Sequence, residues 1–201
     1  MATMYPKSLE SIEKATEGER KVFHFIQQAA VPHKNYKCWF EPIIGEVGKE
    51  PDFVLFGSKL GLVVIEVKDW TVHQIWSADS HLFTLKIQDQ EHDRTNPDRQ
   101  AKQYVNELMK KLKTVPTLIS NDPLHFGKLR IPIGRLVVFP NMLQQDYLRK
   151  GLGELIPLKR VLLKDDLDPA GEILKDTSGT DHRLSTLLRT RPVFMILGSC
   201  T

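Results

Sequence analysis

Apolar positions recur at helical spacing in the first legible segment of the chain. Within TEGERKVFHFIQQAA, Val22, Phe25, Ile26 and Ala29 fall at i, i+3, i+4 and i+7, the stripe of an amphipathic helix with one buried face. Thr16 fits the N-cap, Glu19 three residues on spells a capping box, and Pro32 ends the helix. The period then changes. YKCWFEPII reads as a strand and GEVGKE as a polar turn. DFVLFG and LVVIEVKDW are apolar runs around the short SKLG turn, which predicts a hairpin. The second run is almost wholly β-branched or apolar, as in a strand covered on both faces. TVHQIWS and HLFTLKIQ alternate like more exposed strands, and DQEHDRTNP reads as a loop.

Past Pro97 helical spacing returns with Ala101, Tyr104, Val105, Leu108, Met109 and Leu112, while Lys102, Lys110, Lys111 and Lys113 decorate the other sides. IPIGRLVVFPN supplies a buried strand centred on RLVVF, MLQQDYLRKGL a short helix and RVLLK a late short strand. From Asp165 onward the pattern weakens to one or two short helices, and RPVFMILGSCT is apolar. No internal repeat or low-complexity tract interrupts the chain. This order of elements predicts an α/β fold with a mixed central β-sheet flanked by helices.

Composition narrows the class without naming a partner. A chain of 201 residues, 41% hydrophobic and 26% charged, suits one globular core. A formal charge of +3 and a pI of 8.8 tolerate a polyanionic partner without demanding one. Cys38 and Cys200 form no C-x-x-C pattern, so neither a disulfide framework nor a zinc site is expected. No apolar run approaches the roughly 18 residues of a bilayer span, and the N-terminus has no signal-peptide core. The expected compartment is the cytoplasm, with no membrane partner.

The candidate chemistry lies in the hairpin. Glu66 and Lys68 are two residues apart, so in a strand they share one face and Val67 takes the other. Counting back from the turn brings Asp52 level with Ile65 to Glu66. Two carboxylates and an ammonium then converge at the edge of a buried sheet. Close carboxylates repel, and one takes up a proton unless a cation separates them. A hard dication such as Mg²⁺ compensates such a pair and keeps sites for water and phosphate oxygens. A nearby Lys can orient or help deprotonate a bound water, a recipe for hydrolysing a phosphodiester. The ordinary reading of Glu-x-Lys, a surface ion pair at a strand end, stands beside this one. On the helix after Pro97, Gln100 and Tyr104 lie at i and i+4 on one face. Gln100 offers an amide for water, carbonyl or phosphate, and Tyr104 also suits a core aromatic.

Pro51-Asp52 followed by Glu66-Val67-Lys68 matches the PD-(D/E)xK nuclease motif, and Gln100-x-x-x-Tyr104 matches the QxxxY motif of its recombination-exonuclease-like branch. With the EGER helix, the GLVVIEVKDW strand and the NPDRQAKQY helix, the chain from about Glu17 to about Phe139 resembles the nuclease-related domain (NERD) family, with a weaker echo in VLLKDDLDP. The resemblance implies a restriction-endonuclease-like core over residues 16–164, with residues 1–15 as an N-terminal extension and 165–201 as a C-terminal helical segment. It implies Mg²⁺, or Mn²⁺ in its place, held by Asp52, Glu66 and the Val67 carbonyl. Lys68 would position water or stabilise the transition state, and Gln100 and Tyr104 would support the site or touch DNA. Glu19, in competition with its capping role, would be the first-helix acid, with Glu17 as a substitute. The implied activity is metal-dependent hydrolysis of DNA in DNA processing, often with a helicase-like region on the same polypeptide; no nucleotide-binding motif follows here. The alternatives are a DNA-binding module that keeps the nuclease fold without cleaving, and a structural protein whose hairpin charges merely pair.

Other candidates are weaker. EHD at 91–93 and TDH at 180–182 have metal-friendly residues without a second cluster at ligand spacing. Trp70 and Trp76 suit packing at a sheet edge better than stacking on unpaired bases. Lys102, Lys110, Lys111, Lys113, Lys128, Arg130 and Arg135 fit either a phosphate-tracking surface or scattered surface charge.

Overall fold

Helix α1 (Glu17–Ala29) begins where the capping box places it. Thr16 N–H donates to Glu19 Oε2 at 2.6 Å, and Glu19 N–H donates to Thr16 Oγ1 at 3.2 Å. Such a cap is worth about 1 kcal/mol. The structure, a computed structural model, describes residues 2–29, 36–45, 50–58 and 60–167. The Pro32 stop, most of the GEVGKE turn, the TDH triplet, Cys200 and all but the start of the expected C-terminal helices lie outside the described residues.

In chain order the strands are β1 (Thr3–Tyr5), β2 (Tyr36–Phe40), β3 (Phe53–Gly57), β4 (Gly61–Val67), β5 (Ile75–Ala78), β6 (Leu82–Ile87), β7 (Gln90–Thr95), β8 (Ile133–Phe139) and β9 (Val161–Leu163). Helix α2 (Pro97–Lys113) separates β7 from β8, and two short helices, α3 (Gln144–Arg149) and α4 (Leu152–Leu155), precede β9. The main sheet has six strands in the order β1-β2-β3-β4-β8-β9. β2, β3 and β4 are antiparallel neighbours, whereas β1 on β2 and β4-β8-β9 are parallel pairings. A separate antiparallel sheet, β5-β6-β7, fills the connection from β4 to α2.

The alternation of β4 decides which helix covers which face. Val63, Ile65 and Val67 join Val22, Phe23, Phe25 and Ile26 of α1 in one buried cluster. Val64 faces the other way, with Val54 of β3 and Tyr104, Val105 and Leu108 of α2. Glu66 has the parity of Val64, and Asp52 that of Val54, so both carboxylates belong to the α2 side. Helix α2 is fixed by its own chemistry: Asn96 Oδ1 accepts from the Asp98 and Arg99 N–H groups, Pro97 opens the first turn, and Lys110, Lys111 and Lys113 end it. The small sheet buries Ile75, Phe83 and Leu85 against Val137, Phe139, Tyr147 and Leu152.

Three readings change. DQEHDRTNP is no loop: Gln90–Thr95 forms β7, paired with β6 from Ile87↔Gln90 to Leu82↔Thr95. The joining residues Gln88 and Asp89 have φ of 49° and 60°, the twist a two-residue hairpin turn needs. None of β7 is buried, so no apolar alternation betrays it. TVHQIWS divides into a 3₁₀ turn at Val72–Gln74 and β5 proper. The N-terminal extension contributes β1, too short for a periodic signal, with Met4 buried in the core. Among the described residues no helix is long and apolar enough to cross a membrane.

Candidate active site

The β3–β4 register pairs Phe53 with Ile65, so the next step along both strands sets Asp52 opposite Glu66. Asp52 Oδ2 accepts a hydrogen bond from the Val67 N–H at 2.6 Å. Glu66, 1% exposed, accepts from Lys68 Nζ through Oε1 at 2.6 Å. Its other oxygen, Oε2, is buried without a hydrogen-bond partner. Lys68 is mostly buried, with its ammonium 5.9 Å from the centroid of the Trp70 ring, within reach of a cation–π contact.

These surroundings strain the charges. Burial, then the charge of Glu66, push the Asp52 carboxyl up to about 8, against the Val67 N–H and Lys68. Burial also raises Glu66, opposed by Lys68 and reinforced by Glu19. Burial pulls the Lys68 ammonium down, but the charge and hydrogen bond of Glu66, with Asp52, outweigh it and hold the group above its ordinary value. Lys68 is therefore a charged donor, suited to stabilising negative charge and unsuited to taking a proton.

Helix α2 supplies the roof. Gln100 Nε2 donates to Tyr104 Oη at 3.0 Å, the i, i+4 pairing expected of one helical face. Tyr104 is 7% exposed, and burial raises its phenol, with Glu66 and Asp52 adding to the effect. Asp52, Glu66, Lys68 and Tyr104 thus lie in one another's field. Glu19 is buried in its capping box, and its charge reaches Asp52 and Glu66 from the N-terminus of α1. Glu17 is exposed and pairs loosely with Lys21 at 3.9 Å.

The donor set bears on which ion it would suit. Two buried carboxylates with raised protonation and one unpartnered oxygen gain from a cation. Among the described residues no group of three or more His, Cys, Asp or Glu side chains is arranged to hold a metal, which speaks against a protein-only zinc or calcium cage. One or two carboxylates, with water and substrate phosphate completing the shell, is the habit of Mg²⁺. The Val67 carbonyl belongs to the same stretch that Asp52 grips through the Val67 N–H.

Elsewhere the sequence readings divide. Trp70 packs against Phe83 and Phe139, with centroids 5.7 and 6.2 Å apart, as a sheet-edge aromatic should. Trp76 departs from that reading: it is 62% exposed, with Lys86 Nζ 5.6 Å from its ring centroid. The EHD triplet lies on the solvent-facing strand β7. Arg135 leaves the surface set, because its guanidinium makes a two-point bond to Asp98 at 2.8 and 3.1 Å. Lys102, Lys110, Lys111, Lys113, Lys128 and Arg130 are exposed. Arg160 completes the Asp98 cluster at 3.4 Å; no motif pointed to this cluster, whose members are far apart in sequence.

A mixed α/β protein whose six-strand central sheet is packed against helices, with two acids and a lysine at the end of its middle hairpin, is consistent with a restriction-endonuclease-like core. The nuclease-related domain (NERD) family matches residues 14–140, from just before α1 to just past β8, and the chain belongs to that family. Comparison with curated proteins and with solved structures gave no match in either.

Proposed function

We propose that the chain is a divalent-cation-dependent nuclease that hydrolyses DNA phosphodiester bonds at the Asp52–Glu66–Lys68 site. The observation that carries this reading is an acid pair only partly compensated by Lys68 and the Val67 N–H: Glu66 Oε2 is buried without a partner while Asp52 is pushed up to about 8. Family membership supports a nuclease of some kind; the metal and the DNA substrate are the finer part of the proposal.

Asp52, Glu66 and the Val67 carbonyl would hold Mg²⁺ or Mn²⁺. Such an ion, when bound, supplies a water acidic enough to attack near neutral pH and offsets charge on the phosphate. The chain's own residues do the rest. The Val67 N–H fixes Asp52 in one orientation. Lys68, hydrogen-bonded to Glu66 Oε1, would present a cation to the negative charge on the oxygens of a five-coordinate phosphorus, a preorganised donor of the kind that lowers barriers most. Tyr104 packs on the same sheet face as Val54 and Val64, and Gln100 holds its hydroxyl from the preceding turn of α2. Glu19 adds a third negative charge at the edge.

The direct test is cleavage of linear and circular DNA by the purified chain with Mg²⁺ or Mn²⁺, beside chelator and Lys68→Ala controls. Metal-dependent cleavage lost in Lys68→Ala supports the proposal. DNA binding without cleavage by wild type under both metals replaces it with a non-catalytic DNA-binding module. A helicase-like partner region stays part of the same proposal, tested by whether ATP-driven unwinding activity copurifies with the chain.

A further inference from the structure

Two residues outside the nuclease motif join α1 to the strand that carries the site. Gly18 sits in the first turn of α1, where glycine is a poor helix former. Its N–H donates to Asp69 Oδ2 at 3.0 Å. A Cβ on Gly18 would stand 1.7 Å from Asp69 Oδ1, 2.6 Å from Asp69 Cγ and 2.7 Å from Pro140 Cγ. A side chain at this position would have to displace the Asp69 carboxylate and press on the Pro140 ring, so the contact as it stands needs glycine. Asp69 is itself braced: Asn141 Nδ2 donates to its carbonyl oxygen at 2.9 Å and reaches its Oδ1 at 3.5 Å, and Lys21 Nζ reaches Asn141 Oδ1 at 3.5 Å. A carboxylate at the start of α1 also meets the positive end of the helix dipole.

The placement of this clasp gives it a consequence. Asp69 directly follows Lys68, and Gly18 directly precedes Glu19. Helix α1 packs through Val22, Phe23, Phe25 and Ile26 on the sheet face opposite the one shared by Asp52 and Glu66, and its Glu19 carboxylate is tied to the Thr16 N–H at 2.6 Å, so the placement of that first turn sets where the Glu19 charge lies. We propose that Asp69 is a positioning residue: through the gap left by Gly18, and braced by Asn141, it pins the first turn of α1 so that the Glu19 carboxylate is held at the edge of the Asp52–Glu66 pair. The catalytic consequence rests on the nuclease reading above; the clasp itself rests on geometry.

The experiment combines cleavage with amide exchange on the full chain. In the wild-type background Glu19→Gln is expected to slow Mn²⁺-supported DNA cleavage about tenfold, and in the Asp69→Ala background less than about twofold, the signature of two groups acting through one contact. Asp69→Asn keeps an acceptor for the Gly18 N–H and is expected to stay within about threefold of wild type. The Gly18 amide is expected to exchange at least about tenfold faster in Asp69→Ala while those of Val22 and Ile26 hold their protection. A Glu19→Gln effect undiminished in Asp69→Ala overturns the positioning role, because a merely structural brace would leave it intact. Unchanged Gly18 exchange in Asp69→Ala overturns the clasp. A wild type that does not cleave removes the nuclease reading and the catalytic consequence with it, while the exchange measurement still upholds or overturns the clasp.

Discussion

Two three-charge clusters share helix α2, and they are built to opposite ends. In the first, one aspartate faces two arginines. Asp98 receives Arg135 Nε at 2.8 Å and Nη2 at 3.1 Å, with Arg160 Nη2 at 3.4 Å, so both carboxylate oxygens are engaged. One guanidinium nitrogen, Arg160 Nε, is left over. In the second, two acids face one lysine, and the leftover atom is a carboxylate oxygen, Glu66 Oε2, beside an Asp52 pushed up to about 8. The Asp98 cluster fastens the N-terminus of α2 to β8 and to the approach to β9. The Asp52 cluster is electrostatically unfinished, with one buried carboxylate oxygen unpartnered and both acids pushed toward their protonated forms.

Breaking each cluster in turn separates fastener from site. The largest effect is expected on chemistry: Lys68→Ala and Asp52→Ala should each reduce metal-dependent DNA cleavage by about 10³-fold or more, about 4 kcal/mol of barrier. Lys68→Ala leaves the buried Glu66 without its cation and should lower the thermal midpoint, so circular dichroism at the assay temperature should show both variants folded. Cleavage within about threefold of wild type in both variants would remove the site assignment.

Next in size is a stability effect at the other cluster. Asp98→Ala leaves two mostly buried guanidinium groups facing each other, and equilibrium unfolding in urea should show a loss of about 2–4 kcal/mol. A loss below about 0.5 kcal/mol would mark the Asp98 cluster as an ordinary surface ion pair.

A smaller effect carries a sign that distinguishes the two clusters. The Asp52 carboxyl is raised, so its contribution to stability is fully present below about pH 4 and is lost as pH rises through about 8. The metal-free wild type should therefore lose thermal stability relative to Asp52→Asn across that window. The amide of Asp52→Asn can still accept from the Val67 N–H, and the variant should be more stable by about 1–3 kcal/mol at pH 8–9, converging with wild type near pH 4. A wild type as stable as Asp52→Asn at pH 9 would show that the acid pair carries no unrelieved charge. The smallest expected change is in Tyr104→Phe, which breaks the bond from Gln100: about three- to tenfold in cleavage rate, and under about 1 kcal/mol in stability.

Much of this was legible in residue order. The capping box at Thr16 and Glu19, the stripe of α2 and the level placement of Asp52 with Glu66 all follow from periodicity and turn counting, because each is local or depends on one hairpin register. What escaped was long-range or unpatterned. β7 is all solvent-facing, so its residues carry no alternation. Arg135 fitted either a phosphate-tracking surface or scattered surface charge until folding set it against Asp98, 37 residues away. Gly18 meets Asp69 across 51 residues; the only local trace of that contact is a glycine where a helix former would serve better. Trp70 and Trp76 differ in burial because one faces the Phe83–Phe139 core and the other lies on the outer face of the small sheet.

The most direct measurement is calorimetric titration of Mn²⁺ into the full chain at pH 7–8 in buffers of different protonation enthalpy. The expected result is one site per chain whose filling releases a fraction of a proton that shrinks from pH 7 to pH 8, since an Asp52 carboxyl pushed up to about 8 is partly protonated there and gives up that proton to bind the ion. The site should vanish in Asp52→Asn and in Glu66→Gln. No binding by wild type, or binding unchanged in both variants, would contradict a shared ion between these two carboxylates.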